Sequence, residues 1–132
     1  MSDYRTPLDD IRLTLDAITD IPSICDLPGY EHADPETIDG MLDELGRFVA
    51  EVIGPVDRVG DQEGCSVEDG VVTMPKEFHE AWDQFVEAGW SSISQDPDYG
   101  GGGFPGAIQT VMTEMIGAAS RSWSMGPMLT VG

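Results

Sequence analysis

A glycine-rich run is the first candidate for chemistry in this sequence. The segment Gly101-Gly102-Gly103-Phe104-Pro105-Gly106 has the spacing G-x-G-x-x-G and precedes a stretch of helical periodicity. A dinucleotide-binding fingerprint also needs a preceding β-strand, whereas residues 94–99 are polar and contain Pro97. We therefore expect a flexible loop in which glycine permits close backbone approach, rather than a phosphate site.

Two further patterns fall short of metal sites. His79-Glu80-Ala81-Trp82-Asp83 is similar to the zincin helix, but Asp83 stands where the second histidine belongs. The other histidine is His32, and neither cysteine belongs to a C-x-x-C pair. The acidic stretch 57–68 does not fit an EF-hand loop, because Val59 takes the first ligand position. The sequence predicts solvated carboxylates and no metal site.

Nucleophilic and acid–base chemistry have little support. The chain contains no G-x-S-x-G motif, and neither Cys25 nor Cys65 has a histidine close in sequence. Glu114 lies among apolar residues and is a candidate buried base. We expect instead that it faces solvent or pairs with Arg121 on the same helical face.

Soft apolar side chains are concentrated in the last third of the chain. Methionine and tryptophan give an adaptable surface that suits a flexible aliphatic ligand, and they equally suit an ordinary core. These residue types alone leave both interpretations open. The residues are Met112, Met115, Trp123, Met125 and Met128.

Length and charge exclude several classes of function. The 132 residues are enough for one domain, and 25 acidic against six basic side chains give a net charge of -19. Such a charge repels nucleic acid and anionic membrane surfaces. The apolar stretch 107–128 is interrupted by Glu114, Arg121 and Pro127, and the N-terminus lacks the plan of a signal peptide. We expect a cytoplasmic protein with two free thiols.

The first half of the chain predicts two helices. Leu8, Ile11, Leu15 and Ile18 have helical spacing, and Pro22 is expected to end that helix before a loop over residues 21–32. A second helix begins at the predicted N-cap Asp34 and should stop at Gly54-Pro55, before an irregular segment with a short extended piece at 71–73.

The second half predicts the remaining helices. Pro75 opens a helix whose buried side should hold Phe78, Trp82, Phe85 and Val86, and Pro105-Gly106 opens the helix that carries Glu114. We expect an all-α bundle of about five helices. Its predicted parts are an extension with one helix over residues 1–33 and a domain over residues 34–132. Because the chain ends within an apolar run, we expect this domain to be part of a longer protein.

Several segments together resemble the N-terminal helical domain of acyl-CoA dehydrogenases. The family shows a G-W or G-L pair, a Y-G-G-x-G-x-P element and then a helix with a glutamate. The long-form branch, which includes methylthiopropionyl-CoA dehydrogenases, adds a leading helix. The matching segments are Ala88-Gly89-Trp90, residues 97–105, Glu114, residues 48–55 and the start of the chain from Tyr4.

The resemblance implies a flavoenzyme of three parts that removes hydrogens from Cα and Cβ of an acyl-CoA. It implies that the full-length enzyme binds FAD and that this part alone does not. The remaining domains of the same chain would pack beside this one. Electron-transfer flavoprotein would accept the electrons, and the full-length enzyme would form a homo-oligomer. The catalytic and principal flavin-binding motifs of the family lie outside these residues.

In relatives, this domain walls the acyl pocket with the helix that follows the glutamate helix. The resemblance places that wall on Trp123, Ser124, Pro127, Met128 and Val131. Trp123 and Pro127 replace polar residues of some medium-chain enzymes, which implies a short or bulk-limited pocket, and Trp123→Ala would then favour longer acyl chains. The alternative function is a free-standing acidic module whose Met-rich face receives a partner helix.

Overall fold

Seven α-helices and one β-hairpin form the part of the chain that the computed structural model describes, which is residues 4–131, with backbone only at Val131. This confirms the all-α class. The helices are α1 (Leu8–Ile18), α2 (Ile21–Cys25), α3 (Pro35–Phe48), α4 (Gly54–Gln62), α5 (Lys76–Glu87), α6 (Gly106–Ala119) and α7 (Arg121–Val131). The strands are β1 (Ser66–Glu68) and β2 (Val71–Thr73).

The helix that begins at Pro35 does not stop at Gly54-Pro55, so that prediction is wrong. The Asp34 side chain caps α3 by accepting from the Thr37 amide at 2.8 Å, and this bond lowers the pKa of the Asp34 carboxyl. After α3, a π-helical turn (Val49–Ile53) leads directly into α4. Proline is tolerated in the first turn of a helix, where its missing amide proton is not needed. The wider π turn thus places Pro55 at the start of α4.

The hydrophobic core lies among α3, the π turn, α5 and α6. α6 is hydrophobic over much of its circumference and buries seven of its residues. Apolar helices of this kind occupy the centre of a bundle. The largest completely buried side chains are Leu45, Val49, Ile53, Phe85, Ile108, Met112, Met115 and Ile116.

The buried side of α5 differs from the prediction at two positions. Phe78 and Phe85 are buried as expected, but Val86 is 46 % exposed and Trp82 is half-buried, while the small Ala81 is buried. Helix α5 therefore turns its 78/81/85 stripe to the core. The prediction chose Val86 because its side chain is the more hydrophobic. Close packing of α5 on the core instead accommodates the smaller side chain of Ala81.

The N-terminal extension packs against the bundle. The Tyr4 hydroxyl donates to the Met115 carbonyl at 3.3 Å, and the Thr6 hydroxyl donates to the Gly46 carbonyl at 3.0 Å. Arg12 pairs with Asp39 at 2.6 Å. These contacts attach the extension to both α3 and α6.

The prediction of a single helix in residues 1–33, followed by a loop, is wrong over Ile21–Cys25. Those residues form α2, which Asp20 caps by accepting from the Ser23 amide at 3.4 Å, with Pro22 in the first turn. Pro22 thus begins a helix as well as ending one. The division of the chain at residue 33 stays a prediction.

The short extended piece predicted at 71–73 is β2. It pairs with β1 in an antiparallel hairpin, with Val67 opposite Val72. Asp69 and Gly70 form the turn and both have positive φ, +50° and +79°, as a two-residue hairpin turn requires.

Gly60 allows α4 to approach its neighbours closely, which yields a stability prediction. A Cβ at Gly60 would lie 2.7 Å from Phe78 Cζ and 2.8 Å from Ser122 Oγ. We expect Gly60→Ala to lower the free energy of unfolding by about 1–2 kcal/mol in a denaturant titration, because overpacking outweighs the gain in helix propensity.

Gly40 in α3 provides the matched control, since nothing lies within 4 Å of a Cβ built there. Gly40→Ala should raise the free energy of unfolding by about 0.5–1 kcal/mol, because alanine loses less conformational freedom in a helix than glycine does. Equal stability of the two variants would contradict the close approach at Gly60.

Candidate functional site

The glycine loop directs its backbone amides inward. The Gly101 amide donates to Asp96 at 3.0 Å, and the Gly102 amide donates to Ser92 at 2.9 Å. The amides of Gly103 and Phe104 donate to Gln95 and Ile93 in the same way, at 2.9 and 3.0 Å. A phosphate-binding loop needs free amides that point at the ligand. These four amides are used within the loop, so the loop does not have the geometry of a phosphate cradle.

The same loop requires glycine for close backbone approach, as predicted. A Cβ at Gly101 would overlap the Gln95 carbonyl, and one at Gly102 would lie 2.6 Å from the Ile93 carbonyl oxygen. His32 covers the loop from outside, with its Nε2 2.8 Å from the Gly102 carbonyl oxygen. The loop is thus a folded spacer between α5 and α6.

A cavity of about 220 Å³ lies between α6 and α7. Its α6 side follows the helical spacing 109, 112, 113 and 116, which lines one face of the helix. Its α7 side includes three of the five residues predicted for the acyl wall. The lining residues are Gln109, Met112, Thr113, Ile116, Ser124, Pro127 and Met128.

The two hydroxyl groups of this cavity already donate their protons to backbone carbonyls, so they keep only acceptor capacity. The Thr113 hydroxyl donates to the Gln109 backbone carbonyl at 2.9 Å, and the Ser124 hydroxyl donates to the Arg121 carbonyl at 2.7 Å. The side-chain oxygen of Gln109 accepts from Ser94 at 3.1 Å. The remaining lining is mainly apolar and includes Met112 and Met128.

Trp123 does not line this cavity. It is 4 % exposed, its Nε1 donates to the Phe78 carbonyl at 3.2 Å, and its ring packs edge-on against Phe85 at 5.4 Å between centroids. Successive residues of an α-helix turn by about 100°, so Trp123 and Met128 point about 140° apart. α7 consequently places Trp123 against α5 and Met128 at the cavity.

The remaining predicted residues have different positions. The side chain of Val131 lies outside the described residues. Of the methionines, Met115 is in the core, and Met125 borders a different cavity together with Asp57 and Arg58. Contact of any wall residue with an acyl chain stays a prediction.

The prediction overlooked Gln109, Thr113 and Ile116. Their spacing around Met112 is the signal that would have found them, because i, i+3, i+4 and i+7 positions share one helical face.

Glu114 faces solvent, as expected, on the other side of α6. It borders a second cavity between α1 and α6 together with Asp10 and Ile18. Within residues 4–131, no group of three or more His, Cys, Asp and Glu side chains is arranged to hold a metal ion. None of the described helices combines the length and apolar character needed to cross a membrane.

Three of the six basic side chains of the chain form ion pairs within the described residues. Arg12 pairs with Asp39 and Asp43, Arg47 with Glu44, and Lys76 with Glu80. The occupied amides leave the glycine loop without free backbone donors at Gly101, Gly102, Gly103 and Phe104 for the diphosphate of a flavin cofactor.

Comparison with known proteins identifies the family. A model of the acyl-CoA dehydrogenase N-terminal domain matches residues 35–132. A 3-methylmercaptopropionyl-CoA dehydrogenase of Ruegeria pomeroyi is 34% identical over 129 residues, which cover 98% of this chain and 22% of that relative. The chain therefore spans about a fifth of the length of this relative, and the similarity includes the N-terminal extension. The cavity between α6 and α7 lies within the matched residues 35–132. The chain belongs to the acyl-CoA dehydrogenase family and contains its N-terminal helical domain.

Proposed function

We propose that this chain is part of an FAD-dependent acyl-CoA dehydrogenase and that its α6–α7 cavity forms part of the acyl-pocket wall. The observation that carries this proposal is the cavity itself, where Met112, Ile116, Pro127 and Met128 present apolar surface and the neighbouring hydroxyls are bonded internally. Such a surface favours a hydrocarbon chain over a polar group.

The domain acts together with other parts of the enzyme. At about 220 Å³ the cavity is smaller than the roughly 300–1,000 Å³ of a complete small-molecule site, so other domains must supply the remaining walls. The net charge of -19 disfavours the phosphates of CoA and FAD, which basic residues elsewhere must receive. The resemblance further assigns α-proton removal to a carboxylate of a later domain, electron transfer to electron-transfer flavoprotein, and assembly into a homo-oligomer.

A short acyl group is the proposed substrate class. The similar protein from Ruegeria pomeroyi is named for 3-methylmercaptopropionyl-CoA, a thioester with a short acyl chain. Methionine side chains such as Met112 and Met128 adapt to irregular apolar ligands and limit the space available to them. Trp123 supports the wall from behind, through its bond to the Phe78 carbonyl.

Met128 offers a direct test in an enzyme that joins this domain to the remaining ones. Met128 is 37 % exposed at the rim, so Met128→Ala should widen the cavity with little effect on folding. We expect the kcat/KM ratio of a longer to a shorter acyl-CoA to rise about tenfold, since one methylene in an apolar pocket changes this ratio by roughly 10- to 200-fold. Steady-state kinetics with acyl-CoAs of increasing chain length measures this kcat/KM ratio.

Two further variants complete the test. Met125→Ala removes the same side chain at a position of α7 that borders a different cavity, and it should leave the ratio unchanged. Thr113→Phe should fill the cavity and shift the ratio toward the shorter substrate. If Met128→Ala, Met125→Ala and Thr113→Phe all kept the chain-length profile of the wild type, this cavity would not be part of the acyl pocket.

A further inference from the structure

The second cavity, between α1 and α6, has the features of a separate binding site. It measures about 490 Å³, within the roughly 300–1,000 Å³ typical of small-molecule sites. On α6 it uses Ala107, Thr110, Val111 and Glu114, whereas the α6–α7 cavity uses 109, 112, 113 and 116. At about 100° per residue, these two sets lie on opposite sides of the helix. The second cavity is therefore distinct from the proposed acyl wall.

One wall of this cavity comes from the N-terminal extension. α1 contributes one helical stripe, which includes Asp10, Ile11, Thr14, Leu15 and Ile18. This helix lies outside the residues that match the family's domain model, which begins at residue 35. The cavity thus exists only because the extension packs on the domain.

The floor of the cavity is apolar. Ile11, Leu15 and Val111 are buried at its base, and Ile18 is largely exposed at its edge. Removing such a surface from water favours a ligand with a hydrocarbon body.

The polar groups around that floor are acceptors. Thr14 donates its hydroxyl proton to the Asp10 carbonyl at 2.8 Å, and Thr110 donates to the Gly106 carbonyl at 3.1 Å. Their oxygens can then only accept from a ligand. Asp10 and Glu114 add two carboxylates, and among residues 4–131 none of those lining this cavity is Lys, Arg or His. The described lining residues therefore include no side chain that would neutralise these carboxylates.

We propose that this cavity binds a small organic ammonium ion with an aliphatic body. The hydrocarbon would lie on the floor formed by Ile11, Leu15 and Val111, and the ammonium group would donate to acceptors of the rim, where Asp10 and Glu114 supply the opposite charge. A primary ammonium has three donors and complements a rim of acceptors, whereas an acyl-CoA has anionic phosphates that these carboxylates repel. The site is independent of the proposed acyl pocket.

The probe for this site is n-hexylammonium, compared with 1-hexanol and hexanoate on the 132-residue chain at low ionic strength. Amide chemical shifts in a titration followed by NMR should change mainly in α1 and α6. We expect hexylammonium to bind about four- to twenty-five-fold more tightly than hexanol, because the two exposed carboxylates contribute about two- to fivefold each. Hexanoate should bind more weakly than both, because the carboxylates repel it.

Variants of Asp10 and Glu114 test whether these two carboxylates bind the ammonium group. Asp10→Asn and Glu114→Gln should each weaken hexylammonium binding about two- to fivefold and leave hexanol binding unchanged. Asp16→Asn is the matched control, because it makes the same change in net charge on α1 without lining this cavity. Thr110→Phe should fill the cavity and remove binding of every probe while the spectrum stays that of a folded protein.

Three results would overturn the proposal. They are equal affinity for hexylammonium and hexanol, an equal loss in Asp16→Asn and Glu114→Gln, and shift changes centred on α7. The first would show that the carboxylates do not take part, the second that net charge alone acts, and the third that the probe occupies the other cavity. None of these results bears on the acyl-pocket proposal, which rests on Met128 and its kinetics.

Discussion

Replacing Trp123 with alanine should lower the free energy of unfolding by about 3–5 kcal/mol, the usual cost of removing a large aromatic side chain from a core. Trp123 is 4 % exposed and contacts the rings of both Trp82 and Phe85. Its loss would leave a cavity between α5 and α7 and remove the hydrogen bond from the indole to the Phe78 carbonyl. Urea titration of the isolated chain, followed by circular dichroism, measures the change.

Two variants accompany this measurement. Tyr99→Ala removes an aromatic side chain that is 91 % exposed and should change stability by less than about 0.5 kcal/mol. Trp123→Phe keeps the aromatic packing but loses the indole donor, and should fall between the wild type and Trp123→Ala. A Trp123→Ala variant as stable as Tyr99→Ala would contradict the core position of the indole.

The buried position of Trp123 changes what the Trp123→Ala variant can show about substrate preference. The resemblance alone assigned Trp123 to the acyl wall, and widening that wall would favour longer chains. The structure separates Trp123 from the cavity that Ser124, Pro127 and Met128 line. A change in chain-length preference in Trp123→Ala would then arise through displacement of α7, so Met128 is the better residue for that question.

Replacing Gly101 with alanine should lower the free energy of unfolding by about 2–4 kcal/mol. The new methyl group would overlap the backbone carbonyl of Gln95, which cannot rotate away as a side chain can. The loop would have to open and would lose part of the hydrogen bonding by the amides of Gly101, Gly102, Gly103 and Phe104, at about 0.5–1.5 kcal/mol for each bond.

Hydrogen exchange of those amides tests this mechanism locally, because an opened loop exchanges faster than the core. Gly106→Ala is the matched control, since it places a methyl group on a glycine of the same motif with nothing within 4 Å. It should leave loop exchange and stability nearly unchanged. If Gly101→Ala kept slow exchange at Gly102 and Phe104, the close approach to Gln95 would be disproved.

Local signals in the sequence were sufficient for most helix positions. The Asp34 cap and the apolar stripe of α3 involve residues close along the chain, so they act wherever the helix is placed. Pro75 and Pro105 begin α5 and α6 for the same reason. The prediction at Gly54-Pro55 was wrong because a proline that ends one helix has the same local sequence signature as a proline that begins the next. Here a π turn joins α3 directly to α4.

The sequence by itself determined the helical class, the starts of α3, α5 and α6 and, through several motifs in a fixed order, the family. Only the tertiary structure decided which apolar side chains fill the core and which line a cavity, because tryptophan and methionine satisfy helical periodicity equally in both places. The rotation of α7 against α5 and α6 buried Trp123 and left Met128 at a groove. That rotation depends on packing between residues distant in sequence, such as Trp123 with Phe78, which no local pattern specifies.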